Sequence, residues 1–152
     1  LIMKKFVNED NTRFRRGSTY TKVIADIAQK NVCPFCEDQL LNFHKNPIEK
    51  KKYWVVTDNM YPYKPNKKHL LLVHREHIEH AQEISAAAWQ ELQVIIQEQT
   101  KKNTIDGGTF MLRFGDGRYT GSSVRHLHAH IVQSDPEHED YKKEVGLVAR
   151  IG

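Results

Sequence analysis

The chain has 152 residues, enough for one domain with a core of its own. Its hydrophobic fraction is 39% and its mean hydropathy -0.66, which point to a soluble protein, and no apolar run approaches the length of a bilayer span. A net charge of +4 is a mild bias toward anionic partners and excludes a dedicated DNA-binding arm; with no signal peptide in view, a cytoplasmic location is expected.

Residues 1–17 are polar and basic, with Arg13, Arg15 and Arg16 close together, and read as an arm; residues 18–152 read as a single domain. Ser18 or Thr19 can cap a helix from about Tyr20 to Gln29, with Val23, Ile24 and Ile27 on one face. Residues 33–44 hold Cys33-Pro-Phe-Cys36 and a short helical pattern. Lys50 to Lys52 is a solvated charge run, and Tyr53 to Thr57 reads as a strand. Asn59 to Lys68 is a Pro- and Asn-rich connection, and His69 to His74 a buried strand. Ser85 opens the clearest helix, to about Lys102, with Trp89, Leu92, Ile95 and Ile96 as its core stripe. Asp106-Gly107-Gly108 is a turn into a strand over Thr109 to Phe114. A loop then reaches Ser123, and Val124 to Gln133 is the next strand. Asp135 to Lys143 is charged and loop-like, and Val145 to Ile151 alternates weakly as a last strand. Such an order predicts an α+β fold: a mainly antiparallel sheet of about five strands, one long helix and shorter N-terminal helices.

His126, His128 and His130 stand at alternate positions, with Leu127, Ala129, Ile131 and Val132 between and after them. On a strand the three imidazoles share one face. A row of imidazoles is costly to bury without partners. It fits a metal site, or a nucleophilic histidine flanked by helpers, better than a titrating surface strand. The cysteine pair reads as two buried thiols, a redox pair or half of a metal site.

The stretch His126 to Val132 resembles the signature of the histidine triad (HIT) family, His-φ-His-φ-His-φ-φ with φ apolar. The likeness extends upstream. Gly121-Ser122-Ser123-Val124 resembles the family's Gly-Gln-Ser/Thr-Val. Asn59-Met60-Tyr61-Pro62, followed by His69 and Leu70 to Val73, resembles Asn-x-x-Pro ahead of Gly-His and a buried strand. Arg75-Glu76-His77-Ile78 resembles Lys-x-His-Ile, and the CxxC resembles the one in many bacterial members. The resemblance covers most of residues 33–133.

This resemblance implies a HIT-like fold and a nucleotide hydrolase. Its substrates are nucleoside phosphoramidates or dinucleoside polyphosphates, cleaved at the α-phosphate. It implies His128 as the nucleophile, forming a nucleotidyl-histidine, with one ring nitrogen held by the backbone carbonyl of His130. It gives His130 the phosphate, Ser123 the leaving group, and His69 and Asn59 the nucleotide. Ser122 stands where Gln is usual, and Arg113 or Arg118 is a replacement phosphate contact. Zinc-bearing members imply a structural Zn²⁺ on Cys33, Cys36, His77 and His126, with His44 as a rival ligand. A homodimer is expected, and neither a membrane nor a nucleic acid is. The alternatives are a dinucleoside polyphosphate phosphorylase and a non-catalytic, zinc-stabilised nucleotide-binding or protein-interaction module.

Overall fold

A computed structural model describes residues 5–14, 18–143 and 146–151. Arg15, Arg16 and Val145, named in the sequence reading, lie outside the described residues, as does the side chain of Arg13. Two helices come first, α1 (Ser18–Lys30) and α2 (Glu37–Phe43). Strands β1 (Ile48–Lys50), β2 (Trp54–Asp58) and β3 (Asn66–His74) follow. Next come α3 (Ala86–Lys102), β4 (Thr109–Arg113), α4 (Gly117–Thr120), β5 (His128–Ser134) and α5 (Glu139–Lys143). The strands form one antiparallel sheet in the order β1-β2-β3-β5-β4, so the α+β expectation holds. Among the described residues no helix is long and apolar enough to cross a membrane.

One sheet face makes the main core. Trp54, Val56, Leu70, Leu72, Ala129 and Ile131 pack there against Ala88, Leu92 and Ile95 of α3. Each Val, Leu or Ile among them contributes roughly 1.5–3 kcal/mol when fully buried. Helix α3 starts as its sequence predicts, because the Ser85 hydroxyl accepts the Ala88 N–H at 3.1 Å. Its buried stripe is Ala88, Leu92, Ile95 and Gln99. Trp89 was expected in that stripe, but it is 42% exposed, because it stands one position off the 88-92-95-99 spacing. The carboxylate of Glu91 pins the helix to the turn before β2 by accepting the N–H groups of Lys52, Tyr53 and Trp54.

Several boundaries differ from the sequence reading. Lys50 is the last residue of β1, a strand hidden by its charged neighbours; Lys51 pairs with Glu49 and Glu98. Strand β3 begins at Asn66, inside the expected connection, and the irregularity between Asn66 and Lys68 absorbs the extra residue. Strand β5 begins at His128 and not at Val124. Val124 instead forms an isolated bridge with Val7, so His126 lies in a bend ahead of the strand. Residues 139–143 are helical where a loop was expected, and residues 146–151 form no strand.

The register sets up the opposite sheet face. Val73, His128 and Arg113 are direct cross-strand partners, as are Leu71, His130 and Met111. Opposed residues in antiparallel strands point to the same side. His69, opposite Val132, joins this face.

Candidate active site and metal cluster

A cavity of about 1000 Å³ opens on this second face. His128 and His130 line it from the sheet, and Asn59, Tyr61 and Tyr63 from the β2–β3 connection. Ser122 and Ser123 line it from the loop before β5, Phe35 from the CxxC segment, and Tyr20, Ile24 and Ile27 from α1. Arg113 and Arg150 complete its polar end.

The His128 ring has one possible tautomer in its neutral form. Its Nδ1 lies 2.6 Å from the His126 carbonyl oxygen, which can only accept, so Nδ1 carries the proton. Nε2 keeps a lone pair. Burial lowers the pKa to about 4, with Arg113 adding to the shift and the His126 carbonyl opposing it, so the ring is uncharged at neutral pH. The orienting carbonyl was expected from His130 and is that of His126. The bend before β5 turns the His126 carbonyl onto the ring two residues on.

A second chain of hydrogen bonds fixes His69 and His130. The Tyr63 N–H donates to His69 Nδ1 at 3.0 Å, which leaves the proton of the neutral His69 ring on Nε2. That Nε2–H donates to His130 Nδ1 at 2.9 Å. The neutral His130 ring therefore carries its own proton on Nε2, an atom buried in the ring that lines the cavity. The Asn59 Nδ2 lies 3.2 Å from His69 Nε2, but both are donors, since Asn59 Oδ1 accepts the Tyr61 N–H. The contact is one of proximity. The Tyr63 ring lies 4.6 Å from His69 and 5.7 Å from His130, closing the row from one side.

Arg113 is 5% exposed. Its guanidinium donates to the carbonyls of Thr120 and Arg150 and to the Tyr63 hydroxyl. These acceptors are all neutral, so among the described residues the buried cation has no carboxylate partner. Burying a charge without a counter-charge is expensive, and an anion entering the cavity would offset that cost. Arg118, the other arginine considered, is held by Asp116 on the surface and does not line the cavity. Ser122 spends its hydroxyl locally, donating to the Val124 carbonyl at 2.8 Å. Ser123 lines the cavity beside it.

The four residues predicted as metal ligands come together. The donor atoms of Cys33, Cys36, His77 and His126 all lie within 4.8 Å of one another. His126 Nδ1 is 3.3 Å from Cys33 Sγ and 3.9 Å from Cys36 Sγ, and His77 Nδ1 is 3.3 Å from Cys36 Sγ. Tetrahedral Zn²⁺ places neighbouring S and N donors about 3.6 Å apart, so these spacings fit. The far nitrogen of each histidine is also held. His126 Nε2 donates to the His74 carbonyl at 2.6 Å, and His77 Nε2 lies 3.3 Å from Glu79 Oε1. A ligating histidine needs this outer support to present its lone pair. Without a cation, burial pushes the Cys33 thiol up to about 12. His44 is not in the cluster. Its Nε2 lies 2.7 Å from the Thr57 hydroxyl, which donates onward to Pro47, so the imidazole is a wall of the cavity.

The HIT domain model matches residues 43–137, which is most of the chain and includes the histidine row. The chain belongs to the HIT family. Solved structures share its fold. A histidine triad nucleotide-binding protein from Candida albicans is 16% identical, with a TM-score of 0.59 over 78% of this chain and 81% of that one. A HIT family hydrolase from Clostridium thermocellum is 21% identical, with a TM-score of 0.52 over 70% and 93%. A histidine triad protein from Clostridium difficile, also 21% identical, gives 0.53 over 70% and 96%. No curated protein matches the chain.

The HIT match leaves residues 1–42 outside it. Both cysteines, Phe35, α1 and the segment that pairs with Val124 belong to that part, yet all of them reach the cavity or the metal cluster. Sequence reasoning did not single out Phe35, whose ring lies 5.2 Å from that of His128. Tyr63, inside the Pro- and Asn-rich connection, also reaches the site. The signal for Tyr63 is its place six residues before His69, which becomes informative once the connection is seen to fold back on β3.

Proposed function

We propose that this HIT protein is a nucleotide hydrolase. It cleaves nucleoside phosphoramidates or dinucleoside polyphosphates at the α-phosphate, through a nucleotidyl intermediate on His128. One observation carries the reading: a buried, uncharged His128 ring lines the cavity with its proton held on Nδ1 by a carbonyl. Nε2 is then free to form a bond to phosphorus. As that bond forms, the bond from phosphorus to the leaving group breaks, and the Ser123 hydroxyl supplies the leaving atom's proton. Water next attacks phosphorus, its proton returns to the Ser123 oxygen, the P–N bond breaks, and His128 is regenerated with its Nδ1 proton. The His130 Nε2–H and the Arg113 guanidinium serve the phosphoryl oxygens as charge develops. Asn59 and His69 lie on the nucleotide side, and Ser122 shapes the loop beside the phosphate.

Cys33, Cys36, His77 and His126 would hold a structural Zn²⁺, tying the N-terminal segment to the sheet. The donor spacing and the outer hydrogen bonds support this. Cys33→Ser and His77→Ala are expected to lower bound zinc measured by elemental analysis; full zinc content in both variants refutes the assignment. A cysteine pair gathered as metal ligands and not as a disulfide suits a reducing compartment, in keeping with a cytoplasmic protein. A homodimer is supported by the open edge of β4, where Phe110 is 39% exposed, and by exposed Trp89 and Val94 on α3.

The test of the function is incubation with a labelled adenosine phosphoramidate and a labelled diadenosine polyphosphate, with mass analysis of rapidly quenched protein. An adenylyl adduct on His128, abolished in folded His128→Ala, is expected. No turnover of either compound by folded, zinc-replete protein refutes the enzyme and leaves a nucleotide-binding module.

A further inference from the structure

The segment ahead of α1 lies outside the HIT match, yet it is stitched to the loop that carries Ser123. Val7 forms a β-bridge with Val124. The Asn8 N–H donates to the Ser123 carbonyl at 2.9 Å, and the Arg125 N–H donates to the Phe6 carbonyl at 2.7 Å. The Asn11 amide then closes the loop at its base. Its Nδ2 donates to Gly117 O at 2.8 Å and to Ser122 O at 2.6 Å, using both amide hydrogens. Those two carbonyls are the ends of the turn formed by α4 and Gly121. The closure is tight: a Cβ on Gly117 would stand 2.6 Å from Ser122 O and 3.3 Å from Asn11 Nδ2. From the sheet side, Arg113 holds the Thr120 carbonyl of the same turn.

A loop fixed at both ends and along its backbone is what a proton donor needs if it must meet a leaving atom in one geometry. Asn11 itself lines the cavity and is only partly buried. We propose that residues 6–12, and Asn11 above all, position the Ser122–Ser123 loop so that the Ser123 hydroxyl protonates the leaving group. Asn11 is a positioning residue: it acts through Ser123 and not on the phosphate. This inference rests on the hydrolase reading.

The required readout is the dependence on leaving group. An alkylamine leaving from an adenosine 5′-phosphoramidate needs a proton; p-nitrophenolate leaving from an adenosine 5′-(p-nitrophenyl phosphate) does not. Asn11→Asp keeps the shape of the side chain but replaces the donating amide with a carboxylate that faces two carbonyls. It is expected to lower kcat on the phosphoramidate by about tenfold or more, and kcat on the p-nitrophenyl ester by less than about threefold. Asn11→Ser, which keeps one donor, is expected to fall between and serves if the Asp variant does not fold. Equal losses on both substrates, or none on either, overturn the inference. A wild-type protein that forms the His128 adduct separates that outcome from failure of the hydrolase reading; a wild-type protein that turns over neither substrate overturns both.

Discussion

Replacing His69 with Phe removes both hydrogen bonds of one ring while keeping an aromatic of similar shape. Two groups lose their partners: the Tyr63 N–H, which donates to Nδ1 at 3.0 Å, and His130 Nδ1, which accepts from Nε2 at 2.9 Å. His69 is 3% exposed and His130 4%, so water does not readily replace the lost partner. Each unsatisfied group costs about 1–3 kcal/mol. For a chain of this size that is a fall in Tm on the order of 5–15 °C. The catalytic effect comes by a different route. Without the His69 donor, His130 is free to carry its proton on Nδ1, and Nε2 is then no longer a donor. Loss of one preorganised donor to a developing phosphoryl charge costs about 10²- to 10³-fold in kcat. The assay is steady-state hydrolysis of an adenosine phosphoramidate, alongside thermal unfolding. A folded His69→Phe protein with kcat within about threefold of wild type would refute the tautomer chain, since the donor would then not depend on His69.

Glu49 gives a pH test of stability. Hydrogen bonds from Lys51, then Lys102, hold its carboxyl at about 2, below its ordinary value of 4.5. A carboxylate with a depressed folded-state pKa stabilises the fold above its unfolded value, and that contribution is lost as pH falls through the folded value. Between about pH 4.5 and 2 wild type should therefore lose more stability than Glu49→Gln; parallel denaturation midpoints across that range contradict the reading. The side chain is partly exposed, so added salt should shrink the difference. Phe110→Lys on the open edge of β4 is expected to give a folded monomer by light scattering from a dimeric wild type; a monomeric wild type at about 10 μM rules out this stable interface.

Much of the fold was legible because it rests on periodicity. Ser85 as a cap and the spacing of Leu92 and Ile95 define α3 without any tertiary knowledge. What periodicity could not show was partnership across the chain. Strand β1 ends at Lys50, which reads as the start of a solvated charge run until Lys51, Lys102 and Gln99 are seen gathered on its neighbour Glu49. Arg113 was visible as a cation near the site, but its row with His128 and Val73 depends on the β3-β5-β4 order. The candidate metal-ligand set needed the family likeness. Cys33 and His126 lie 93 positions apart, and nothing local in either sequence names the other.

The three triad histidines illustrate why residue identity and residue chemistry are separate questions. The alternating pattern fixes which rings occur, and each proton is then placed by something else. For His128 it is the His126 carbonyl, for His126 the His74 carbonyl, and for His130 the Tyr63 N–H acting through His69. Three of these determinants are backbone groups, so they follow from register and bends and not from side-chain type. His126 had to leave the strand for this to work. As a regular member of β5 it would point its ring along the same row as His128 and His130. In the bend its ring turns to the cysteines while its carbonyl stays on His128. One residue thereby serves the candidate metal cluster with its side chain and His128, the proposed nucleophile, with its backbone. A substitution that spares every histidine but shifts this bend should therefore disturb both sites together.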